Sequence, residues 1–388
     1  MNASPQILSF QPSSTPATSI SFGDLYPALK SGLLVISLNE SEFYVGEETE
    51  GLYMPSAPYL PLIRACDGSL TISELAICCD LSFNQIENFV RELMSHNFIE
   101  LRHEVAKSPN LNLLQNNFLE RLAPERGLYT WRNGVSDGGF SEISTRKPFA
   151  IAILSENKLA RFLLSNLQAS GFSQTRISAP ALDSQRPSRR VSATDVCGIF
   201  IDALDIGKKI TEIHQEIARK ARWGKIESIE SMESANQAEI AHAQLAITTG
   251  ISSPAVVQNW LSEGVPHLQI SQPTAHTLEI GPLVLPGANH GACLNCVNLH
   301  RQDHLPPFIR HARDSREFRE KKIEITTSSA SFAAGVITSY ICEFAIDRTS
   351  SLLNHSLTVN LLAPLEDVRH HYWNIHPECG CSSSNALV

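Results

Sequence analysis

Two short stretches near the C-terminal end carry the clearest chemistry in this sequence: "ACLNC", with Cys293 and Cys296 at CxxC spacing, and "ECGC", with Cys379 and Cys381 at CxC spacing. Either spacing lets two sulfurs turn toward one point. Two such pairs supply four thiolates, the donor set of a closed tetrahedral zinc site with Zn–S distances of about 2.3 Å. The competing reading, one incidental pair and one redox couple, finds no thioredoxin-like strand and helix around "CLNC". Cys66, Cys78, Cys79, Cys197 and Cys342 sit in apolar patterns and are expected in the core. His300, Asp303 and His304 follow the first pair, and His370, His371 and His376 precede the second. They could form a second metal or acid–base site, but such groups beside a metal more often support its ligands. No GxSxG elbow, Walker loop, HExxH or EF-hand loop is present, and no residue is assigned as catalytic.

The elements that must position these residues follow from composition and period. A chain of 388 residues, 43% hydrophobic and 18% charged, implies a globular protein of two or more domains. No run of uncharged apolar residues is long enough to mark a membrane span, and the N-terminus has no secretory pattern. The expected compartment is the cytoplasm, where clustered cysteines more often bind metal than oxidise. The formal charge is −9, and the basic residues are dispersed apart from "RKAR" at 219–222 and "REKK" at 319–322. Nucleic acid is therefore not an expected partner, nor is a membrane.

Residues 1–24, rich in Ser, Thr and Pro, read as a disordered tail. "LLVIS", "EFYVG" and "GLYM" then form three strands of a meander, and the apolar period becomes helical in "PYLPLIRAC", "DGSLTISELAICCD" and "LSFNQIENFVRELMSHNF". Thr71 with Glu74, and Ser82, can cap two of these helices. Residues 25–102 thus form a winged-helix-like module. The final strand, Gly51, Leu52, Tyr53 and Met54, has no successor to cover its outer edge, so a peptide could add there as a further strand. The pocket wall is expected on the third helix, with Asn84, Glu87, Asn88 and Arg91 on its flanks selecting the peptide. A DNA-binding winged helix or a dimer interface is the alternative, although one Arg and two Glu suit a phosphate-facing helix poorly. Residues 103–147 read as a connector, with a helix near "NLLQNNFLERL". A second, α/β domain spans 148–388: strands at "PFAIAIL", "DVCGIFIDA", "AQLAITTG" and "GVPHLQI" alternate with helices at "ENKLARFLLSNLQASGF" and from Pro254, giving a parallel sheet. "TLEIGPLVLPG" is expected to be a hairpin leading to the first cysteine pair, and "ASFAAGVITSYICEFAID" a closely packed helix.

In the order and spacing of "GVPHLQI", "IGPLVLPG", "ACLNCVNLHRQD" and "HPECGC", the chain resembles the ThiF-like, bacteriocin cyclodehydratase-domain proteins of thiazole/oxazole-modified peptide (RiPP) biosynthesis. "YPALKSGLLVI" with "ACDGSLTISELA" is similar to the RiPP recognition element that heads them. The resemblance covers residues 25–388. It implies a ThiF-like, Rossmann-type domain behind a peptide-recognition module. It also implies a leader-peptide-binding role toward a ribosomal precursor, a YcaO-type cyclodehydratase as partner, and a possible homodimer. Relatives of this fold that activate carboxylates with ATP carry GxGxxG after the first strand, whose glycines bring backbone close to phosphate at a helix N-terminus. Here the run is "SENKLA": Ser155, Asn157 and Ala160 replace glycines, and Glu156 would repel phosphate, so ATP is not expected to bind this chain. The expected role is non-catalytic substrate recognition for azoline formation. The alternatives are an ATP-dependent adenylating enzyme of the ThiF class, and a zinc-stapled nicotinamide oxidoreductase, which would need the missing glycine fingerprint.

Overall fold

The computed structural model describes residues 21–103, 120–132, 134–177, 189–221, 243–250, 254–271, 276–287, 291–306, 325–364 and 366–382. The expected disorder of residues 1–20, most of the helix near "NLLQNNFLERL", and "REKK" lie outside these. The chain divides into two compact units, one of Met1–Asn110 with Ala123–Phe140 and one of Leu111–Leu122 with Ser141–Val388.

In the first unit, β1 (Tyr26–Leu29) is followed by β2 (Leu34–Ser37), β3 (Glu42–Gly46) and β4 (Gly51–Pro55). Then come α1 (Ser56–Ala65), α2 (Ile72–Cys78), α3 (Phe83–Ser95) and β5 (Ile99–Arg102). The order β2-β3-β4 is the meander read from the sequence, and β1 pairs with β5 in a separate antiparallel ribbon. That ribbon escapes sequence reading because each strand is four residues long and its partner lies a whole module away. Both helix starts carry reciprocal capping boxes: Glu74 N–H donates to Thr71 Oγ1 at 3.1 Å and Thr71 N–H to Glu74 Oε2 at 2.8 Å, with Ser82 and Gln85 repeating the pattern. Phe43 and Val45 of β3 share one core with Leu62, Ile63, Ile72, Leu75, Ile86, Phe89, Val90 and Leu93. Phe22, within the stretch read as a tail, packs on that core from a 3-10 turn at Phe22–Asp24.

The second unit is built on a seven-stranded sheet of β6 (Ile151–Leu154), β7 (Thr175–Ile177), β8 (Leu245–Thr249), β9 (His267–Ile270), β10 (Thr277–Val284), β11 (His355–Asn360) and β12 (Val368–Tyr372). Their order is β12-β11-β10-β9-β8-β6-β7. β7, β6, β8 and β9 are mutually parallel, and the rest are antiparallel. Burial on both faces explains the unbroken apolar runs of β6 and β8. One face carries α4 (Lys158–Ala169), α5 (Ile210–Ala221) and α8 (Thr327–Asp347), and the other α6 (Pro254–Ser262) and α7 (Leu294–Asp303). By length and composition alone, the α8 helix is long and apolar enough for a membrane span. Its small residues Ala330, Ala333 and Ala334 are instead fully buried, letting it lie close against α4.

Two sequence expectations fail here. "DVCGIFIDA" is not a strand: 3-10 turns at Ala193–Asp195 and Ala203–Asp205 flank an irregular segment in which Gly198 has φ +72 and Ile199 is 60% exposed. The left-handed Gly198 and the exposed Ile199 break the run that reads as a buried strand. "TLEIGPLVLPG" is one strand rather than a hairpin. Gly281 (φ +101) and Pro282, which has no N–H, produce a register shift against β9 between Ile280 and Leu283 instead of a reversal. Among the cysteines expected in the core, Cys66 and Cys342 are buried, but Cys78 is exposed at the end of α2, off the face that buries Ile72 and Leu75.

Candidate functional site

The four cysteines meet at the N-terminus of α7. Cys293 occupies the cap position, and Cys296 follows in the first turn. Their partners arrive from the chain end. Trp373 leaves β12 with its indole N–H donating to Ser356 Oγ at 2.9 Å, and Ser356 in turn donates to Glu279 Oε1 at 2.6 Å. Arg301 of α7 pairs with Glu279 at 2.7 Å and lies 5.2 Å over the Trp373 ring. Farther on, His376 Nδ1 accepts from Glu378 N–H at 3.1 Å, so its Nε2–H donates to Asp303 Oδ2 at 2.9 Å. These contacts bring Cys379 and Cys381 back over residues 86 and 85 positions earlier in the chain.

The sulfur separations are 3.7 Å for Cys293–Cys296, 3.6 Å for Cys293–Cys379 and 3.4 Å for Cys296–Cys381, and all four lie within 4.8 Å of one another. A tetrahedron of thiolates at the zinc–sulfur bond length has edges of about 3.8 Å. The set therefore fits one metal ion, and the separations are far too long for disulfides. Cys293, Cys296 and Cys379 are buried. The hydrogen bond from Cys293 holds the Cys296 thiol below its ordinary value, while burial pushes Cys381 up. The helix N-terminus further favours negative sulfur.

Of the flagged histidines, His300, His376 and Asp303 form a group beside the cysteines. The His300 ring lies 4.7 Å from that of His376, with Nε2 bonded to the Asn374 carbonyl at 2.9 Å. Both His376 nitrogens are engaged, which makes the group a brace for the cysteine loop rather than a second set of donors. His370 and His371 lie on exposed β12.

The turn after β6 has a different character. Asn157 caps α4: its Oδ1 accepts from Ala160 N–H at 2.9 Å, and its Nδ2 donates to Thr249 Oγ1 at 3.0 Å, which donates to Ser155 Oγ at 2.5 Å. Arg161, fully buried one turn into α4, donates to the Glu156 carbonyl at 2.9 Å and to Asp195 Oδ1 at 2.9 Å. Arg189 closes the group with two bonds to Asp195, at 2.9 and 2.8 Å. Burial opposes ionisation of Asp195, yet the Ser192 N–H and hydroxyl and the two guanidinium charges outweigh it and hold the carboxyl below its usual range. His214 of α5 is driven down to about 3 by burial and by Arg161 and Arg189. The side chains of this turn thus bond to each other where a glycine turn would present bare backbone. Sequence reading missed Arg161, Asp195 and Arg189; the one available signal was an arginine inside the apolar run "KLARFLL".

In the first unit, β4 is an edge strand among the described residues. Glu47 N–H donates to the Glu50 carbonyl at 2.8 Å and Ser56 N–H to the Ser41 carbonyl at 2.7 Å. By the alternation of an antiparallel ladder, Leu52 and Met54 turn their backbone groups to β3, and Gly51 and Tyr53 turn theirs outward. Tyr53 is 72% exposed, edge-on to Tyr44 at 5.3 Å. The helix packed on β3 and β4 is α1, whereas α3 packs on α2 and β5. Asn84, Asn88 and Arg91 are exposed on α3; Glu87 pairs with Arg91 at 2.7 Å, and Arg91 lies 4.6 Å over Phe22.

No model of a known protein family matches the chain, and no curated protein matches it. Solved structures do. The microcin C7 biosynthetic enzyme MccB in complex with N-formylated MccA superimposes with a TM-score of 0.56 at 14% identity, over 91% of this chain and 98% of that one. E. coli MccB with ATP gives the same values. PaaA gives a TM-score of 0.58 at 13% identity, over 88% of this chain and 99% of its own. The chain has the mixed α/β fold of these proteins.

Proposed function

We propose that this chain is a ThiF-like, non-catalytic substrate-recognition component of peptide modification. It binds the leader of a ribosomal precursor peptide along β4 and presents the core to a YcaO-type cyclodehydratase that forms azolines. The observation that carries this reading is the contrast between an open strand edge and a sealed phosphate turn. Among the described residues, Gly51 and Tyr53 offer outward N–H and C=O groups without a strand partner, while Asn157 and Ser155 accept from the backbone N–H groups of Ala160 and Asn157 that would greet a nucleotide. The fold shared with an MccB that binds N-formylated MccA supports a peptide partner. In this reading Cys293, Cys296, Cys379 and Cys381 hold a structural zinc that ties the chain end to α7.

Binding of a labelled leader peptide from the neighbouring genes, followed by fluorescence anisotropy, tests the proposal. Tyr53→Pro removes the outward N–H of β4 together with the ring and should abolish binding, whereas Tyr53→Ala, which loses the ring and keeps the N–H, should still bind. Undiminished binding by the proline variant overturns the assignment. A second reading, ATP-dependent adenylation, is favoured by the fold shared with ATP-bound MccB. It predicts pyrophosphate–ATP exchange by the isolated chain, which the first reading forbids.

A further inference from the structure

The charge around β4 says which peptides that edge can accept. Between Leu34 and Pro55 the chain carries Glu40, Glu42, Glu47, Glu48 and Glu50, and no lysine or arginine. All five are exposed, and they bracket the open edge. Glu47, Glu48 and Glu50 form the turn into β4, while Glu42 stands opposite Pro55 at its far end, next to Glu40. The helices α1 to α3 carry two cations, Arg64 at the end of α1 and Arg91, which Glu87 engages. Between the two acidic ends the outward face is apolar. Ile36, Tyr44 and Tyr53 are cross-strand neighbours in one row, and Ile36 and Tyr53 are 46% and 72% exposed. Leu34 and Leu38 extend the exposed apolar surface along β2. Gly51 keeps the row flat, since a Cβ there would collide with the Tyr44 ring.

Resting on the reading of β4 as a peptide edge, we infer that its ligand is a cationic strand. This is an extended segment with an apolar or aromatic residue stacking beside Tyr53 and Lys or Arg residues on both sides of it. An added strand makes main-chain bonds at Gly51 and Tyr53, which are indifferent to sequence. Selection then falls to the Tyr53 row and to the glutamates, whose field acts over a Debye length of about 10 Å. An acidic segment would be repelled at both ends, so the same charges exclude acidic competitors.

The test pans a random dodecapeptide phage library against the full-length chain at about 50 mM salt, where screening is weak. Synthetic, fluorescein-labelled copies of the recovered peptides are then measured by anisotropy on wild type, on Glu47→Gln/Glu48→Gln/Glu50→Gln, on Tyr53→Ala and on Tyr53→Pro. We expect recovered peptides to carry Lys or Arg flanking an apolar stretch. They should lose about tenfold or more in affinity on the triple variant, chiefly through slower association, and lose that advantage at high salt. Peptides abolished by Tyr53→Pro, still bound by Tyr53→Ala and unchanged by the triple variant and by salt overturn the charge inference and leave the edge reading standing. Peptides that bind Tyr53→Pro undiminished overturn the edge reading itself.

Discussion

Two helix N-termini in the second unit begin from the same physics and end differently. Those of α4 and α7 both present unpaired N–H groups and the positive end of a helix dipole. At α4, side chains from the turn itself and from β8 and the Asp195 segment close the end: Asn157 caps it, Thr249 and Ser155 bond behind it, and Arg161, Arg189 and Asp195 bury a charge cluster beside it. At α7, Cys293 occupies the cap position, and its sulfur bonds the Cys296 thiol and faces two more. A helix N-terminus thus supplies a potential, and what it holds is decided by the groups that distant segments deliver.

Removing one sulfur should have the largest effect on this contrast. Purified chain should contain about one zinc, and Cys296→Ser should release it. The loss of stability is on the order of 5 kcal/mol, because binding free energy at such a site is folding free energy. Elemental analysis and urea denaturation check both; an unchanged midpoint with no metal removes the four-thiolate site. At α4, Asp195→Ala strands the buried Arg161 guanidinium and should cost about 3 kcal/mol or more by the same denaturation. Replacing the pair together, Arg161→Met with Asp195→Leu, should recover much of that loss. Equal cost for the single and double variants would mean that packing, not charge, seals this end.

Acid sharpens the comparison further. His214, folded at about 3 against an ordinary value of 6.5, stays neutral while the unfolded chain takes its proton. Stability should therefore fall as the pH drops from roughly 6.5 to 4, by about 3 kcal/mol for this group. His267, held down to about 4 by burial, adds in the same window. Asp195, with its depressed value, loses its contribution only at lower pH. His214→Phe should flatten the slope of stability against pH; an unaltered slope would mean that His214 is solvated in the folded chain. The smallest effect is at the cap: Asn157→Ala should cost about 1 kcal/mol and bring no gain in Mg-ATP binding by calorimetry. Micromolar binding of Mg-ATP by the wild-type chain would show that the α4 end is open.

Local pattern determines much of this molecule. The meander over β2–β4, the caps at Thr71 and Ser82, the buried parallel strands β6, β8 and β9, and the small-residue helix α8 all rest on interactions within about ten residues, or on which faces are buried. The grouping of the cysteines was legible for the same reason, because each pair is short-range. Tertiary structure alone decided the rest. Asp195 bonds Arg161 across 34 positions, and Glu279 holds Ser356 across 77. β1 pairs with β5 across three intervening helices. Whether a helix end is filled or left to a ligand depends on such long-range partners, and contacts made across long loops, against the entropy of closing them, leave no periodic trace in the sequence.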